Sequence, residues 1–107
     1  MIVTTGLDVP GREIVEILGV AKGNTIRAKH VGTDIIAGLR NLVGGEVSEY
    51  TKLMAEAREQ ASDRMIRHAE SMGADAVVAM HFSTSMITQG AAEILAYGTA
   101  VRLAPAR

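Results

Sequence analysis

The stretch from Ala74 to Val101, ADAVVAMHFSTSMITQGAAEILAYGTAV, limits what this chain can fold into more than any other part of the sequence. Its β-branched and aromatic residues favour strands on both sides of Gln89-Gly90. Glycine accepts positive φ angles at no steric cost, so this pair suits a tight reversal. The stretch therefore predicts a long antiparallel hairpin between Ala74 and Leu103.

A two-residue turn at Gln89-Gly90 predicts which residues of the hairpin face each other. On one side Met86 faces Glu93, Thr84 faces Leu95, Phe82 faces Tyr97, Met80 faces Thr99 and Val78 faces Val101. The other side carries Val77, Ala79, His81, Ser83, Ser85, Ile94, Ala96, Gly98 and Ala100. Both sides are mostly apolar or small, so we expect each face of the sheet to be covered.

Composition indicates a single domain over residues 1–107, because 48% hydrophobic and 21% charged residues suffice for one core. A net charge of −1 and only 3% aromatic residues argue against a nucleic-acid partner. No segment approaches the ~20 apolar residues that cross a bilayer, so we expect no membrane partner. The sequence contains no cysteine, which excludes disulfides and fits a reducing compartment. We expect a cytoplasmic protein.

The N-terminal part of the chain predicts further strands of the same sheet. Ile2 to Thr5 is a short apolar run that ends before a turn at Pro10-Gly11. From Arg12 to Val20 the residues alternate as in a strand, and Gly23-Asn24 predicts a reversal into a further strand, Thr25 to Lys29.

Two helices are predicted between these strands and the hairpin. A short helix covers about residues 33–43, capped by Thr33 or Asp34 and ended by Gly44-Gly45. A long helix covers about residues 46–72, with Gly73 as its C-terminal cap. Its apolar stripe consists of Val47, Tyr50, Leu53, Met54, Ala57, Ala61, Met65, His68 and Met72. The pattern predicts an α+β fold in which both helices pack on an antiparallel sheet, the long helix over the hairpin.

Three segments carry a resemblance to a known family: GLRNLVGG at 38–45, GADAVV at 73–78 and GTAV at 98–101. With them, nearly the whole chain resembles the YbjQ family, small uncharacterised proteins catalogued as heavy-metal binders. The resemblance implies a dodecin-like α+β fold assembled as a homopentameric ring. It supplies a partner for the second face of the sheet, namely other copies of the chain.

His81, Ser83 and Ser85 lie two residues apart, so we expect them on one face of the same strand. A serine–histidine nucleophile is one interpretation. Against it, the Cβ atoms of neighbouring members would be about 7 Å apart, and no carboxylate shares the predicted face to orient the imidazole. The favoured interpretation is a polar face that lines a subunit interface or a central channel.

A metal site is not indicated within one chain. His30, His68 and His81 lie on separate predicted elements, and His68 is expected to pack in the helix stripe. Met80 and Met86 would be roughly 20 Å apart along a strand. Ring symmetry is the exception, because His81 side chains from several copies facing a common axis would form a site that no single chain contains.

A weaker candidate lies at Arg40, Gly44 and Gly45, where backbone N–H groups of the glycine pair and the guanidinium would hold a small anion. The alternative is an ion pair between Arg40 and Glu46, with the glycines only permitting a sharp turn.

Together these observations favour a non-catalytic homo-oligomeric binding protein whose ligand is a metal ion or a small anion. The rival hypothesis is a small-molecule enzyme with its active site between subunits, and a third is an adaptor without a ligand. The sequence identifies no cofactor. The partner it predicts is the chain itself.

Overall fold

A computed structural model describes residues 1–28, 48–88 and 91–105. In chain order the elements are β1 (Ile2–Val3), β2 (Ile14–Ala28), α1 (Ser48–Ser71), β3 (Ala76–Thr88) and β4 (Ala91–Leu103). The predicted short helix, the Gln89-Gly90 turn and the first two residues of the predicted long helix lie outside the described residues. The long helix and the hairpin strands are confirmed within a few residues of their predicted ends.

The strands form one four-stranded sheet in the order β1-β3-β4-β2. Strands β2 and β3 flank β4 and run antiparallel to it, whereas β1 pairs with β3 in parallel. The expectation of a wholly antiparallel sheet was therefore wrong for the edge strand β1, which pairs in parallel with β3. The chain leaves β1, forms β2 and α1, and returns to place β3 beside β1 in the same direction.

Strand β2 is continuous through Gly23, where the sequence predicted a reversal. A Cβ atom at this position would collide with the backbone of α1 at Ala61, Arg64 and Met65. Glycine inside a strand commonly marks such a close backbone approach. Gly23 thus brings the helix down onto β2 and does not form a turn.

Helix α1 ends as its sequence predicts. Gly73 adopts a left-handed φ of 83°. Its N–H donates to the carbonyl of Glu70, and the N–H of Ala74 donates to that of Ala69 at 3.1 Å. This pair of bonds is the Schellman motif, which satisfies carbonyls that the helix end leaves without partners.

The main core lies between α1 and the sheet. Ala57, Ala61, Met65 and Ala69 of the helix are fully buried in one cluster. The strand members of that cluster are Ala21 of β2, Val77 and Met80 of β3, and Ile94, Ala96 and Ala100 of β4. The helix lies mainly over β2 and β4, so the expectation that it covers the hairpin holds for β4 but not for the distal half of β3.

A β-bulge in β3 changes which residues share a face. Val78 is opposite Thr99, but the next aligned pair is His81 with Tyr97, and Ala79 between them has a φ of 53°. The extra residue puts Val77 and Met80 on the same side, against α1. A second register shift lies between Met86 and Thr88.

The predicted hairpin register was therefore wrong beyond the turn. Met86 lies opposite Ala92, where the sequence predicted Glu93, and Val78 lies opposite Thr99 in place of Val101. A strand slip of one residue moves side chains to the other face. His81 is consequently separated from Val77 and lies on the side of the sheet away from α1, which we call the open face.

One end of the open face is covered by the N-terminal segment. Val9 packs in a second buried cluster with Ala76, Val78, Val101 and Leu103. Arg12 holds this segment in place by donating two side-chain hydrogen bonds to the carbonyl of Ala104, at 3.2 and 3.0 Å. Within the described ranges the remainder of the open face is exposed.

We expect the substitution Gly23→Ala to destabilise the fold by ~1–3 kcal/mol, because the added methyl group must displace the helix backbone. Thermal unfolding followed by circular dichroism at 222 nm measures this as a lower Tm. Gly6→Ala is the matched control, since its nearest neighbour to an added Cβ is Thr4 Oγ1 at 3.4 Å, an ordinary contact. Equal melting temperatures for the two variants would contradict the proposed role of Gly23.

Candidate functional site

The candidate site is a polar row across three strands of the open face. His81 of β3 lies opposite Tyr97 of β4, and Tyr97 lies opposite Lys22 of β2. Directly opposed residues in antiparallel strands share a face, so the three side chains lie side by side. All three are solvent-accessible in the single chain. The row presents an imidazole, a phenol and an ammonium group on one surface.

The imidazole of His81 is held by two contacts. Its Nδ1 lies 2.8 Å from the carbonyl oxygen of Ala79, and its ring stacks on Tyr97 with centroids 6.0 Å apart and planes at 27°. A carbonyl only accepts hydrogen bonds, so this contact assigns the proton of the neutral ring to Nδ1. Nε2 then keeps a free lone pair, which can accept a proton or bind a metal ion.

The bulge supplies the carbonyl that holds His81. Ala79 has its left-handed backbone there, and its own N–H donates to the carbonyl of Gly6 at 2.8 Å. The left-handed region is uncommon for residues other than glycine, asparagine and aspartate. Bulges occur frequently where a side chain must be aimed. The N-terminal segment and the bulge together determine the orientation of the imidazole.

Ser83 and Ser85 follow His81 on the open face, as predicted. The structure adds a carboxylate to this face, because the register shift between Met86 and Thr88 places Glu93 opposite Ser85. The prediction that no carboxylate shares the face was therefore wrong. The carboxylate does not orient the imidazole, however. Glu93 accepts a hydrogen bond from Asn24 Nδ2 at 3.2 Å and lies four residues from Tyr97, roughly 13 Å along β4.

This arrangement lacks the geometry of a nucleophilic triad. The described partners of His81 are Ala79 and Tyr97, and neither serine hydroxyl is among them. A general base must lie within hydrogen-bond reach of the hydroxyl that it activates and be oriented by a third group. The described residues of the open face do not form an acyl-transfer site within one chain.

His68 has a structural role on the opposite side of the molecule. Its Nδ1 accepts a hydrogen bond from the backbone N–H of Lys22 at 3.0 Å. One helix turn earlier, Arg64 donates to the backbone carbonyl of Asn24 at 2.6 Å. The two side chains satisfy backbone groups on the outer edge of β2. The predicted packing role of His68 thus includes a specific hydrogen bond that the helix stripe did not reveal.

The predicted anion site at Arg40, Gly44 and Gly45 lies outside the described residues, as do His30 and Glu46. These residues remain predictions from the sequence.

Sequence reasoning missed Lys22, Tyr97 and Glu93 as neighbours of the histidine–serine strand. Tyr97 and Glu93 were assigned to the other face because the register shift between Met86 and Thr88 was not predicted. Lys22 was placed in the predicted reversal between two strands. The bulge at Ala79 was missed as well, although Val77 and Met80 are three residues apart and both suit a core.

A family model described as "putative heavy-metal-binding", YbjQ, matches residues 1–104. The chain belongs to the YbjQ family. Its relatives include a UPF0145 protein of Archaeoglobus fulgidus, 61% identical over 103 residues that cover 96% of this chain and 95% of that protein. A UPF0145 protein of Thermus thermophilus is 54% identical over 107 residues, covering 100% of this chain and 94% of the relative.

A solved structure supports the fold of this YbjQ family member. The crystal structure of a DUF74-family protein of unknown function from Pediococcus pentosaceus matches with a TM-score of 0.66 at 14% identity. The match covers 97% of this chain and 98% of that one. At this identity the likeness concerns the fold alone. In the described part of the chain no helix is both long and apolar enough to cross a membrane.

The family description raises the question of a heavy-metal site. Among the described residues no three histidine, cysteine, aspartate or glutamate side chains are close enough to hold one ion. The Nδ1 atoms of both described histidines are already hydrogen-bonded, and Met65 and Met80 are buried in the core. Soft metal ions prefer thiolate, thioether and imidazole ligands in clusters. The described donor set of a single chain does not fit such an ion.

We expect no sub-micromolar binding of Zn(II), Ni(II) or Cu(I) to the purified protein, because a single imidazole nitrogen is a weak site. Isothermal titration calorimetry of the metal-free protein measures this directly. A tight site that the substitution His81→Ala abolishes would contradict the expectation. It would show that Nε2 atoms of several copies converge on one ion.

Proposed function

We propose that this protein is a non-catalytic homo-oligomeric binding protein of the cytoplasm. Its ligand is a metal ion or a small anion held where copies of the open face meet. The assembly is the dodecin-like ring, a pentamer, that the family resemblance implies. The lack of cysteine in the sequence fits the proposed compartment.

The observation that carries the proposal is the apolar surface beside the polar row. Ile17, Val20 and Ile26 of β2 have 72%, 61% and 58% of their surfaces exposed. Their cross-strand partners Val101, Thr99 and Glu93 place them on the open face. Large exposed apolar patches on soluble proteins usually mark interaction sites. Within the described ranges nothing covers these three side chains.

Further copies of the chain are the partner that best fits this surface. Most soluble oligomers are symmetric and built from identical subunits. On the open face of β2 the polar Lys22 and Asn24 lie between Val20 and Ile26, so the surface combines apolar and polar groups, as subunit interfaces do. Burial of Ile17, Val20 and Ile26 in a neighbouring copy removes apolar area from water at about 25 cal/mol per Å².

The polar row of His81, Tyr97 and Lys22 is the reason to favour a ligand-binding protein over an adaptor without a ligand. In a symmetric assembly each copy repeats His81 and Lys22, so a shared axis near them concentrates imidazole and ammonium groups. These groups suit a small anion, and the free Nε2 atoms suit a metal ion. The enzyme hypothesis has less support, because the described hydrogen-bond partner of His81 is a backbone carbonyl and no described carboxylate or serine hydroxyl contacts the ring.

We expect the native mass of the protein to be that of a ring, and the substitution Val20→Asp to dissociate it, because an interfacial carboxylate would lose hydration without a partner. Native mass spectrometry of protein purified without added metal gives the subunit count and any retained ligand. Leu7→Asp is the matched control, since Leu7 is 81% exposed but lies in the N-terminal loop. A monomeric wild-type protein at micromolar concentration would refute the proposal.

Ligand binding and catalysis predict different responses at His81. Under the binding proposal, inorganic phosphate or a divalent ion raises the Tm of the wild-type oligomer by mass action, and His81→Ala reduces that rise. Differential scanning fluorimetry measures both. Turnover of a small-molecule substrate that His81→Ala abolishes would favour the enzyme hypothesis instead.

A further inference from the structure

Among the described residues, the outer edge of β3 has no strand partner over most of its length. Strand β1 pairs only with Ala76 and Val77, and the loop after it adds a bond from Met80 N–H to the carbonyl of Thr4 at 3.0 Å. Beyond Met80, no described residue pairs with this edge. From His81 to Thr88 the strand is bonded to β4 on one side only. Eight residues thus form an edge available for strand pairing.

The direction of the backbone groups along this edge follows from the bond of Met80. Residues of a strand present N–H and C=O alternately to its two sides. The backbone N–H of Met80 is directed towards the β1 side, and the pairing of β3 with β4 continues without a shift from His81 to Met86. Phe82, Thr84 and Met86 therefore present their backbone N–H and C=O groups outwards, while Ser83 and Ser85 bond to β4.

Between His81 and Met86 the described β3 edge lacks the features that discourage pairing with another strand. Proteins protect open edges with charged residues, proline, bulges or a covering element. The stretch from His81 to Thr88 contains no Asp, Glu, Lys, Arg or Pro. On the opposite edge of the same sheet, the side chains of His68 and Arg64 form hydrogen bonds with backbone groups of β2. In the described part of the chain the β2 edge is thus partly protected, whereas the β3 edge is available for pairing.

We propose that this edge pairs with the same edge of a second copy, antiparallel and centred on Thr84. In that register Phe82 of each copy lies opposite Met86 of the other, and Thr84 lies opposite its own counterpart. Phe82 is 44% exposed and Met86 78% exposed in the single chain. Aromatic rings and thioether sulfurs attract each other, so the exposed side chains are mutually complementary.

The pairing forms about six backbone hydrogen bonds, because each directly opposed outward pair exchanges two. Phe82, Thr84 and Met86 all lie on the α1 side, opposite Ala96, Ile94 and Ala92 of β4. The two four-stranded sheets therefore join into one sheet with both helices on the same side. This contact has two-fold symmetry and uses a different surface from the proposed ring contact, so it joins two of the proposed rings into an assembly with an even number of subunits.

Cysteine cross-linking tests the pairing, because the natural sequence contains no cysteine. Opposed residues of a hydrogen-bonded antiparallel pair have Cα atoms about 5.5 Å apart, a distance that a disulfide spans. We expect Thr84→Cys to give mainly covalent dimer under mild oxidation on a non-reducing gel. The matched control is Thr51→Cys on the exposed surface of α1, which should remain monomeric on the gel.

Two further substitutions separate this contact from the ring. Thr84→Pro removes an N–H that points away from β4, so the chain still folds while the edge no longer pairs. We expect the native mass to halve, whereas Thr84→Val keeps the N–H and leaves the mass unchanged. An odd subunit number with no cross-link at Thr84 would overturn the pairing but leave the ring proposal intact. A wild-type dimer that Thr84→Pro converts to monomer would support the pairing and refute the ring.

Discussion

The close contact between α1 and β2 is the constraint on which the rest of the structure depends. Gly23 has no side chain to separate the two backbones, and Ala57 and Ala61 leave the helix surface flat above it. Thr25 Oγ1 then reaches the carbonyl of Ala57 at 3.0 Å. The helix in this position lies mainly over β2 and β4 and makes few contacts with β3. Among the described residues, the distal half of β3 is left exposed.

The elements of this fold could be predicted from local chemistry, whereas their alignment could not. The helix is rich in alanine and long polar residues and ends at Gly73, and the hairpin strands are rich in β-branched residues. These signals act over a few neighbouring positions. The continuity of β2 depends on an approach by residues about 40 positions away in sequence. The sequence alone does not distinguish a glycine that permits close packing, such as Gly23, from a glycine that forms a turn.

The candidate site could be predicted in part. His81, Ser83 and Ser85 share a face as their spacing indicated, because no irregularity interrupts β3 between them. Their neighbours could not be predicted, since the register shift between Met86 and Thr88 decides whether Glu93 or Ile94 shares their side of the sheet. The exposed face and the unpaired edge of the described chain both belong to the sheet, so the proposed assembly and the proposed binding involve the same three strands.

The bulge at Ala79 has a consequence for how this sequence can change over time. Holding an alanine in the left-handed region costs roughly 1–2 kcal/mol, which the surrounding strands must offset. Deleting that single residue would relieve the cost and restore a regular ladder in which Met80 lies opposite Gly98 and His81 still lies opposite Tyr97. Val77 and Met80 would stay against α1, and the side chains from His81 to Met86 would keep their present faces. The deletion would instead remove the carbonyl that accepts from His81 and the N–H that donates to Gly6. The bulge residue therefore serves those two contacts and not the alignment of the strand.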